Sequence, residues 1–322
     1  MNFGVVVIGR NEGERLQRSL ESVFGAYTIV YVDSGSTDGS AKWAREAGAI
    51  VVDLESDRTF TAARARNVGF KTLRATHAEL SYVQFVDGDC ELRHDWPHRA
   101  MLFLDSRPDV VAVSGRLRER YPERSIYNWL CDREWDGPVG QVKSCGGIAM
   151  MRTAAFEAAG GFRDDLIAGE EPELCVRLRA NGGRIWRLSA DMALHDASMT
   201  RFSQWWRRML RSGYAIAQGA YLHGKRPERF KIWESRRAYL WGILLPAFCV
   251  VSGLAFWPWG WATLLIYPLQ VMRQTVRNQG RLKRRLMLAF FQVLARFPEA
   301  LGQLKFLRDR MLSRQARLIE YK

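Results

Sequence analysis

Two aspartates, Asp87 and Asp89, close the apolar run from Tyr82 to Val86, with one glycine between them. A strand that delivers two carboxylates to its carboxyl end can build a site for a hard divalent cation. Mg²⁺ and Mn²⁺ prefer oxygen ligands and commonly bind few protein carboxylates together with substrate phosphates. The spacing therefore indicates a metal-held diphosphate. Taken alone, the triplet is more typical of a solvated Asp-Gly turn than of a metal site, so the surrounding elements must decide.

Short β-rich runs alternate with helical patterns through the first 200 residues. The predicted strands are Gly4–Ile8, Thr28–Val32, Ile50–Asp53, Tyr82–Val86 and Val110–Ser114, and the predicted helices lie around 13–24, 39–47, 62–74 and 95–105. This alternation predicts an α/β fold with a mostly parallel sheet flanked by helices. Ligands of such sheets collect at the carboxyl ends of the strands. The absence of GxGxxG after the first strand and of GxxxxGK[ST] argues against a dinucleotide fingerprint and a P-loop.

Cysteine usage and charge narrow the class of protein further. The five cysteines have no CxxC spacing, which argues against a zinc ribbon or a disulfide scaffold and fits a reducing compartment. The net charge of +14 is uneven: residues 1–200 carry 25 basic and 29 acidic side chains, so the whole basic excess lies in the last 122 residues. Such asymmetry indicates a polyanionic partner, either nucleic acid or an anionic membrane face.

An uncharged run of 35 residues, Ala238 to Met272, separates those two options. It is long enough to enter a bilayer, so we expect an anionic membrane and no nucleic acid as partner, with a buried soluble hairpin as the alternative. Both flanks are basic, which keeps both ends cytoplasmic. A hairpin turning at Trp257–Trp261 satisfies that, and a single kinked span stays open. We predict an α/β domain at 1–200, a basic helical connector at 201–238, and a membrane hairpin or span with interfacial amphipathic helices at 239–322.

An ordered set of motifs in residues 3–200 resembles the family 2 glycosyltransferases with a GT-A fold. The set comprises Arg10-Asn11-Glu12, Val32-Asp33-Ser34-Gly35-Ser36-Thr37-Asp38, Ala65-Arg66-Asn67, Asp87-Gly88-Asp89, Gly146-Gly147, Gly160-Gly161-Phe162 and Gly169-Glu170-Glu171. The resemblance implies a Rossmann-like GT-A domain, here followed by a C-terminal helical, membrane-associated region.

The resemblance also implies roles for individual residues. Donor binding falls to residues at the ends of the first two strands and beside them, which are Arg10, Glu12, Asp33, Arg66 and Asp87. The metal, Mg²⁺ or Mn²⁺, falls to Asp89 with Asp87, and His195 is a further candidate ligand whose alternative is a structural histidine. Glu171 is the expected general base and Glu170 the second choice, with the alternative that both simply favour a helix start.

The resemblance implies a metal-dependent, inverting glycosyltransferase of cell-envelope or exopolysaccharide biosynthesis, and the C-terminal charge and hydropathy pattern predicts association with the cytoplasmic face of the inner or plasma membrane. The donor is a nucleotide-diphospho-sugar, a UDP-sugar being favoured, and the acceptor is lipid-linked or a nascent polysaccharide. A polyprenyl-phosphate sugar synthase is the alternative enzyme. The alternative of another class is a non-catalytic nucleotide-sugar-binding scaffold at the membrane.

Overall fold

A computed structural model describes residues 2–24, 28–56, 58–314 and 319–320. The chain divides into two compact units, residues 1–200 and residues 201–322. The first unit is an α/β domain, and the second unit is helical.

The first unit is built on one mixed sheet with helices packed against it. Its strands are β1 (Phe3–Gly9), β2 (Ile29–Asp33), β3 (Ile50–Asp53), β4 (Tyr82–Asp87), β5 (Cys90–Leu92), β6 (Val110–Glu119), β7 (Gly140–Val142), β8 (Ala149–Arg152) and β9 (Arg184–His195). Its helices are α1 (Glu14–Glu21), α2 (Ser40–Glu46), α3 (Ala62–Thr76), α4 (Trp96–Ser106), α5 (Ile126–Glu134), α6 (Thr153–Ala158) and α7 (Glu170–Ala180). The predicted α/β class is confirmed.

The strand order β3-β2-β1-β4-β8-β6-β9-β5 joins a parallel half to a mixed half. Strands β1 to β4 pair in parallel, as the alternation predicts, whereas β8 runs antiparallel between β4 and β6. The register places Gly9 beside Asp33 and Ile8 beside Asp87, so the ends of three strands meet at one edge. This edge is where polar side chains from distant motifs can converge.

Helix α3 lies close to the sheet because Gly69 faces it. A Cβ added at Gly69 would lie 2.4 Å from Cγ1 of Val6 and 3.0 Å from Cγ2 of Val32. The side chain of Thr61 caps the helix by accepting from the backbone N–H of Arg64 at 3.1 Å. The cap and the glycine together fix the position of α3, which carries Arg66.

The second unit consists of helices α8 (Phe202–His223), α9 (Ile232–Tyr239), α10 (Leu245–Ala255), α11 (Ile266–Arg277), α12 (Leu282–Leu294) and α13 (Arg296–Met311). A π-helical segment, Leu240–Leu244, joins α9 to α10, and a 3₁₀ helix, Trp259–Leu265, precedes α11. Helices α8 and α13 approach closely at two glycines. A Cβ at Gly213 would lie 2.0 Å from the carbonyl oxygen of Glu299, and one at Gly302 would lie 2.0 Å from that of Leu210.

The chain reverses between α10 and α11, at the segment where the sequence predicts a turn. The Tyr267 hydroxyl donates to the carbonyl of Trp241 at 2.8 Å, and the two rings lie 6.0 Å apart, so the returning arm packs on the outgoing one. Among the described residues, one helix, Ile232–Ala255, is long and apolar enough to cross a membrane by length and composition. Only 22% of its apolar window is buried. Residues 315–318 and 321–322 of the predicted C-terminal region lie outside the described part of the chain.

All five cysteines are free and buried.

We predict that Gly69→Ala destabilises the α/β unit by about 1–3 kcal/mol, because the new methyl overpacks the interface between α3 and the sheet. Lys71→Ala, on the exposed face of the same helix, should stay within about 0.5 kcal/mol of the original chain. Thermal unfolding of the two purified variants measures the difference. Equal midpoints for both variants would show that α3 can lift from the sheet without cost.

Candidate active site

A buried ion triad centred on Arg66 links three of the motifs. The Arg66 guanidinium lies 2.6 Å from Oδ1 of Asp87 and 2.6 Å from Oε1 of Glu170, and its side chain is 3% exposed. Burial alone would lower the pKa of Arg66, but the two carboxylates outweigh it and hold the pKa above its ordinary value. The triad ties helix α3 to the end of β4 and to the start of α7.

Asn67, the neighbour of Arg66, holds the loop that precedes α7. Its amide nitrogen donates to the carbonyl of Phe162 and to Oδ1 of Asp164, both at 2.7 Å. Its oxygen accepts from the backbone N–H of Phe162 at 2.9 Å. Gly161 is needed at this contact, since its φ is +68° and a Cβ would lie 2.8 Å from the Asn67 oxygen. The Ala-Arg-Asn and Gly-Gly-Phe motifs therefore form one docked unit.

Asp89, the second aspartate of the Asp87-Gly88-Asp89 motif, lies beside His195. Nε2 of His195 lies 3.3 Å from Oδ2 of Asp89, and Nδ1 of His195 lies 3.3 Å from Oε2 of Glu119. The antiparallel pairing of β5 with β9 sets Cys90 beside His195, and the parallel pairing of β6 with β9 sets Glu119 beside it. The sheet register thus assembles the three side chains.

A bulge in β6 is required for that register. The pairing of β6 with β9 shifts between Ser114 and Arg116, where Gly115 has no space for a side chain. A Cβ there would lie 2.7 Å from the carbonyl of Ala190 and 2.7 Å from the Trp96 ring. Bulges of this kind redirect the rest of a strand. The redirected end of β6 delivers Glu119 to His195.

The donor set at Asp89 fits a divalent metal. A carboxylate oxygen and an imidazole nitrogen converge, and a second carboxylate, Glu119, holds the other ring nitrogen as outer carboxylates do for metal-binding histidines. Cys90 lies with them, its thiol 3.4 Å from Oδ1 of Asp89. Asp87 was predicted as a ligand too. Its side chain is 35% exposed and is held by Arg66 outside this cluster.

The three candidates for nucleoside contact lie at the ends of β1 and β2, in different environments. Arg10 is exposed and lies 5.8 Å from the Phe60 ring, and Glu12 pairs with Arg15 at 2.9 Å. Asp33 is buried, and its carboxylate already accepts three hydrogen bonds. Its carboxylate accepts from the Tyr31 hydroxyl at 2.8 Å and from the backbone N–H groups of Gly35 and Ser36 at 3.0 and 2.7 Å. In this arrangement Asp33 shapes the loop after β2.

The two glutamates at the start of α7 point to different partners. Glu170 joins the Arg66 triad, whereas Glu171 is buried and meets two thiols. Its Oε1 accepts from the backbone N–H of Cys145 at 2.6 Å and lies 3.1 Å from Sγ of Cys145 and 2.9 Å from Sγ of Cys175. Burial, with Glu171 adding to it, raises the pKa of Cys175 to about 11. The two thiols are therefore neutral neighbours of the carboxylate.

Sequence reasoning missed Glu119, Cys145 and Cys175. Glu119 ends a strand whose extent was predicted too short, Val110–Ser114 instead of Val110–Glu119. A strand carried five residues further would have placed a carboxylate at the same edge as Asp87. The two cysteines lie 30 residues apart in the chain, so no spacing signal joins them.

Residues 4–138 match the family model described as glycosyl transferase family 2. This match lies within the α/β unit and supports the predicted family for that part of the chain. Of the curated proteins, it is 25% identical over 179 residues to the glycosyltransferase AglE of Haloferax volcanii, which covers 51% of this chain and 57% of that protein. It is 24% identical over 200 residues to the succinoglycan biosynthesis protein ExoA of Rhizobium meliloti, covering 56% and 59%. The matches thus span less than two thirds of either relative.

The fold of this chain is similar to that of the mannosyltransferase PcManGT from Pyrobaculum calidifontis, solved in complex with GDP-Man and Mn²⁺. The TM-score is 0.60 at 20% identity, with 96% of this chain and 88% of the other covered. The predicted family and the GT-A fold class are confirmed.

We predict that Arg66→Gln destabilises the α/β unit by about 3–5 kcal/mol, because it leaves the carboxylates of Asp87 and Glu170 without their buried cation. Arg99→Gln, which breaks an exposed ion pair with Asp95 on α4, should cost about 0–1 kcal/mol. Thermal unfolding in matched buffer compares the two. A similar small loss in both variants would mean that solvent or another cation replaces Arg66.

Proposed function

We propose that the protein is a metal-dependent, inverting glycosyltransferase that moves a sugar from a nucleotide-diphospho-sugar to a lipid-linked or nascent polysaccharide acceptor at the cytoplasmic face of a membrane. The observation that carries the proposal is the pairing of Asp89 with His195, backed by Glu119, beside the Arg66 triad on a family 2 domain. The name of the relative ExoA supports a role in polysaccharide biosynthesis.

Asp89 and His195 would hold the metal, Mg²⁺ or Mn²⁺. When bound, the ion supplies positive charge that stabilises the departing nucleoside diphosphate. Glu119 keeps the His195 ring oriented with Nε2 toward Asp89. Arg66 keeps the partly exposed Asp87 carboxylate directed at the same edge, where Arg10 and Glu12 extend the donor surface. The complex of PcManGT with GDP-Man and Mn²⁺ supports this class of donor and metal.

Transfer in one displacement forms a bond between the acceptor oxygen and the anomeric carbon while the bond to the donor phosphate breaks. The acceptor hydroxyl must lose its proton to a base as it attacks. Glu170 is held by Arg66 at 2.6 Å, whereas Glu171 has no such cation contact among the described residues. We therefore assign the base to Glu171 and a positioning role to Glu170.

Glu171 lies beneath Cys145 in this structure, so the acceptor reaches it only when the segment around Cys145 moves. Two glycines follow that residue, and Gly146 has a φ of +86°. Glycine permits backbone rearrangements that other residues resist. The Gly146-Gly147 pair therefore fits a segment that moves between a covered and an uncovered Glu171.

The helical unit supports membrane association. The hairpin exposes large apolar side chains along both arms, including Phe248, Val251, Leu254, Leu269 and Met272. Trp257 and Trp259 at its turn are 74% and 82% exposed, in the manner of tryptophans at a membrane interface. An apolar surface of this extent is typical of a site that meets a membrane or another protein.

A polyprenyl-phosphate sugar synthase is the second candidate, and the covered position of Glu171 favours it. A phosphate acceptor is already ionised and needs no strong base to attack the anomeric carbon. In such an enzyme Glu171 would serve structure, through its contacts with Cys145 and Cys175, and not proton transfer.

We predict that the detergent-purified chain gains thermal stability with one class of nucleotide diphosphate when Mn²⁺ is present, and that Asp89→Asn abolishes the gain. A ligand at about 100 times its Kd stabilises by about 2.7 kcal/mol. The panel should contain UDP-, GDP-, CMP- and dTDP-linked ligands. Asp191→Asn, an exposed carboxylate on the same strand as His195, is the matched control and should keep the gain. The absence of a metal-dependent gain with every nucleotide would contradict the proposed activity.

We predict that Glu171→Gln lowers transfer to a membrane-lipid extract by about 10²–10⁴-fold, the usual contribution of a general base. Glu171→Asp should keep most of the activity because it retains the carboxylate. Glu170→Gln should mainly weaken the donor-dependent stabilisation, through the loss of the Arg66 contact. The measurement is nucleotide released per minute at saturating donor. Unchanged turnover in Glu171→Gln would favour the polyprenyl-phosphate synthase.

A further inference from the structure

A polar cavity of ≈ 130 Å³ lies in the helical unit, between α9, the π-helical segment, α11, α12 and the start of α13. Its lining is rich in hydrogen-bond donors and comprises Arg237, Trp241, Gln270, Gln274, Gln292, Val293 and Arg296. Water in the liquid occupies about 30 Å³ per molecule. The space is therefore sufficient for one phosphate-sized group and too small for a sugar nucleotide.

The charges around the cavity leave one arginine without an ion-pair partner. Glu234 pairs with Lys231 at 3.3 Å, and Glu299 pairs with Arg296 at 2.5 Å. Arg237 is exposed, and within the described part of the chain its side chain makes no hydrogen bond and no ion pair shorter than 4 Å. Its guanidinium is a fork of donors that matches phosphate oxygens.

Three glutamine amides complete the donor set. Gln292 uses its oxygen to accept from Asn278 at 3.4 Å, which leaves its NH₂ group available as a donor. Gln270 and Gln274, on α11, line the same space opposite Arg237 on α9. Two cations and several amide N–H groups converge here, and no carboxylate lines the cavity. This chemistry selects an anion.

The position of the cavity in the chain indicates which anion. Arg237 immediately precedes the uncharged run, and Gln270 and Gln274 lie where that run ends, so the cavity is at the base of the hairpin. If the exposed apolar arms enter a bilayer, the base lies at the depth of the lipid phosphates. Stacking of Tyr267 on Phe297 at 5.7 Å helps to close the apolar side of this base.

We propose that this cavity binds the phosphate group of a membrane lipid, with Arg237 as the principal ligand and Arg296 and the three glutamines as supporting donors. The inference rests on the membrane placement contained in the proposed function. It assigns to the helical unit a lipid-phosphate site of its own, separate from the metal and donor residues of residues 1–200.

The test is binding of a polyprenyl monophosphate to the full chain in phosphatidylcholine nanodiscs, measured by native mass spectrometry. We expect Arg237→Gln to weaken binding about tenfold or more, the loss of one charge-assisted phosphate contact being about 1.5–3 kcal/mol. Arg236→Gln removes the neighbouring arginine, which does not line the cavity, and should bind as the original chain does. Gln274→Leu, nearly equal in volume, should weaken binding severalfold without removing charge.

Three further ligands identify the source of the phosphate. Phosphatidylglycerol should bind with the same dependence on Arg237, the uncharged prenol should not bind, and inorganic phosphate should compete only at far higher concentration. Equal losses in Arg236→Gln and Arg237→Gln, or equal binding of the prenol, would overturn the proposed site. Inorganic phosphate that competes at the concentration of the lipid would overturn the lipid source.

Donor-dependent thermal stabilisation, measured on the same variants, separates this inference from the proposed activity. Arg237→Gln should retain the stabilisation by nucleotide and Mn²⁺. Lipid binding that depends on Arg237 in a chain without any response to nucleotides would uphold the site and reject the activity.

Discussion

The buried guanidinium of Arg66 is the contact on which the α/β unit depends. Two carboxylates from distant parts of the chain, Asp87 and Glu170, share one cation in a place that water hardly reaches. A charge buried in this way is tolerable only because it is paired on both sides. The position of α3 on the sheet, the direction of Asp87 at the end of β4 and the start of α7 are consequently linked. The packing at Gly69 and the cap at Thr61 also hold α3 in this position.

The cluster of Asp89, His195 and Glu119 depends on the register of the sheet and not on a single ion pair. Asp89, His195 and Glu119 come from β5 and its preceding turn, from the end of β9 and from the end of β6. None of them is adjacent in sequence to another. A one-residue change in pairing would turn each side chain to the opposite face. The bulge at Gly115 is therefore as important to the cluster as the three side chains are.

The parallel strands and their helices could be predicted because their local patterns agree with their places in the fold. The runs ending at Gly9, Asp33 and Asp87 are apolar, β-branched and bounded by turn residues. The shorter strands β5, β7 and β8 contain three or four residues each and carry too little pattern to be recognised. The motifs predicted Arg66 and Asp89 near the site, together with Asp87, Glu170 and His195, but not the ion pairs that join them. The positions of Glu119 and of the cysteines beside Glu171 depend on contacts between residues that are far apart in the chain. Neither composition nor local spacing predicts such contacts.

The burial of all five cysteines has a practical consequence for work on this chain. A thiol reagent can modify a buried sulfhydryl only when the surrounding structure opens, so the rate of alkylation reports opening at that position. Four of the five thiols are spread over the sheet, α5, the segment before β8 and α7, and Cys249 lies in the helical hairpin. The chain therefore carries natural labels in both of its compact units. Mass spectrometry of the modified peptides would follow the opening of each unit separately, without any engineered probe.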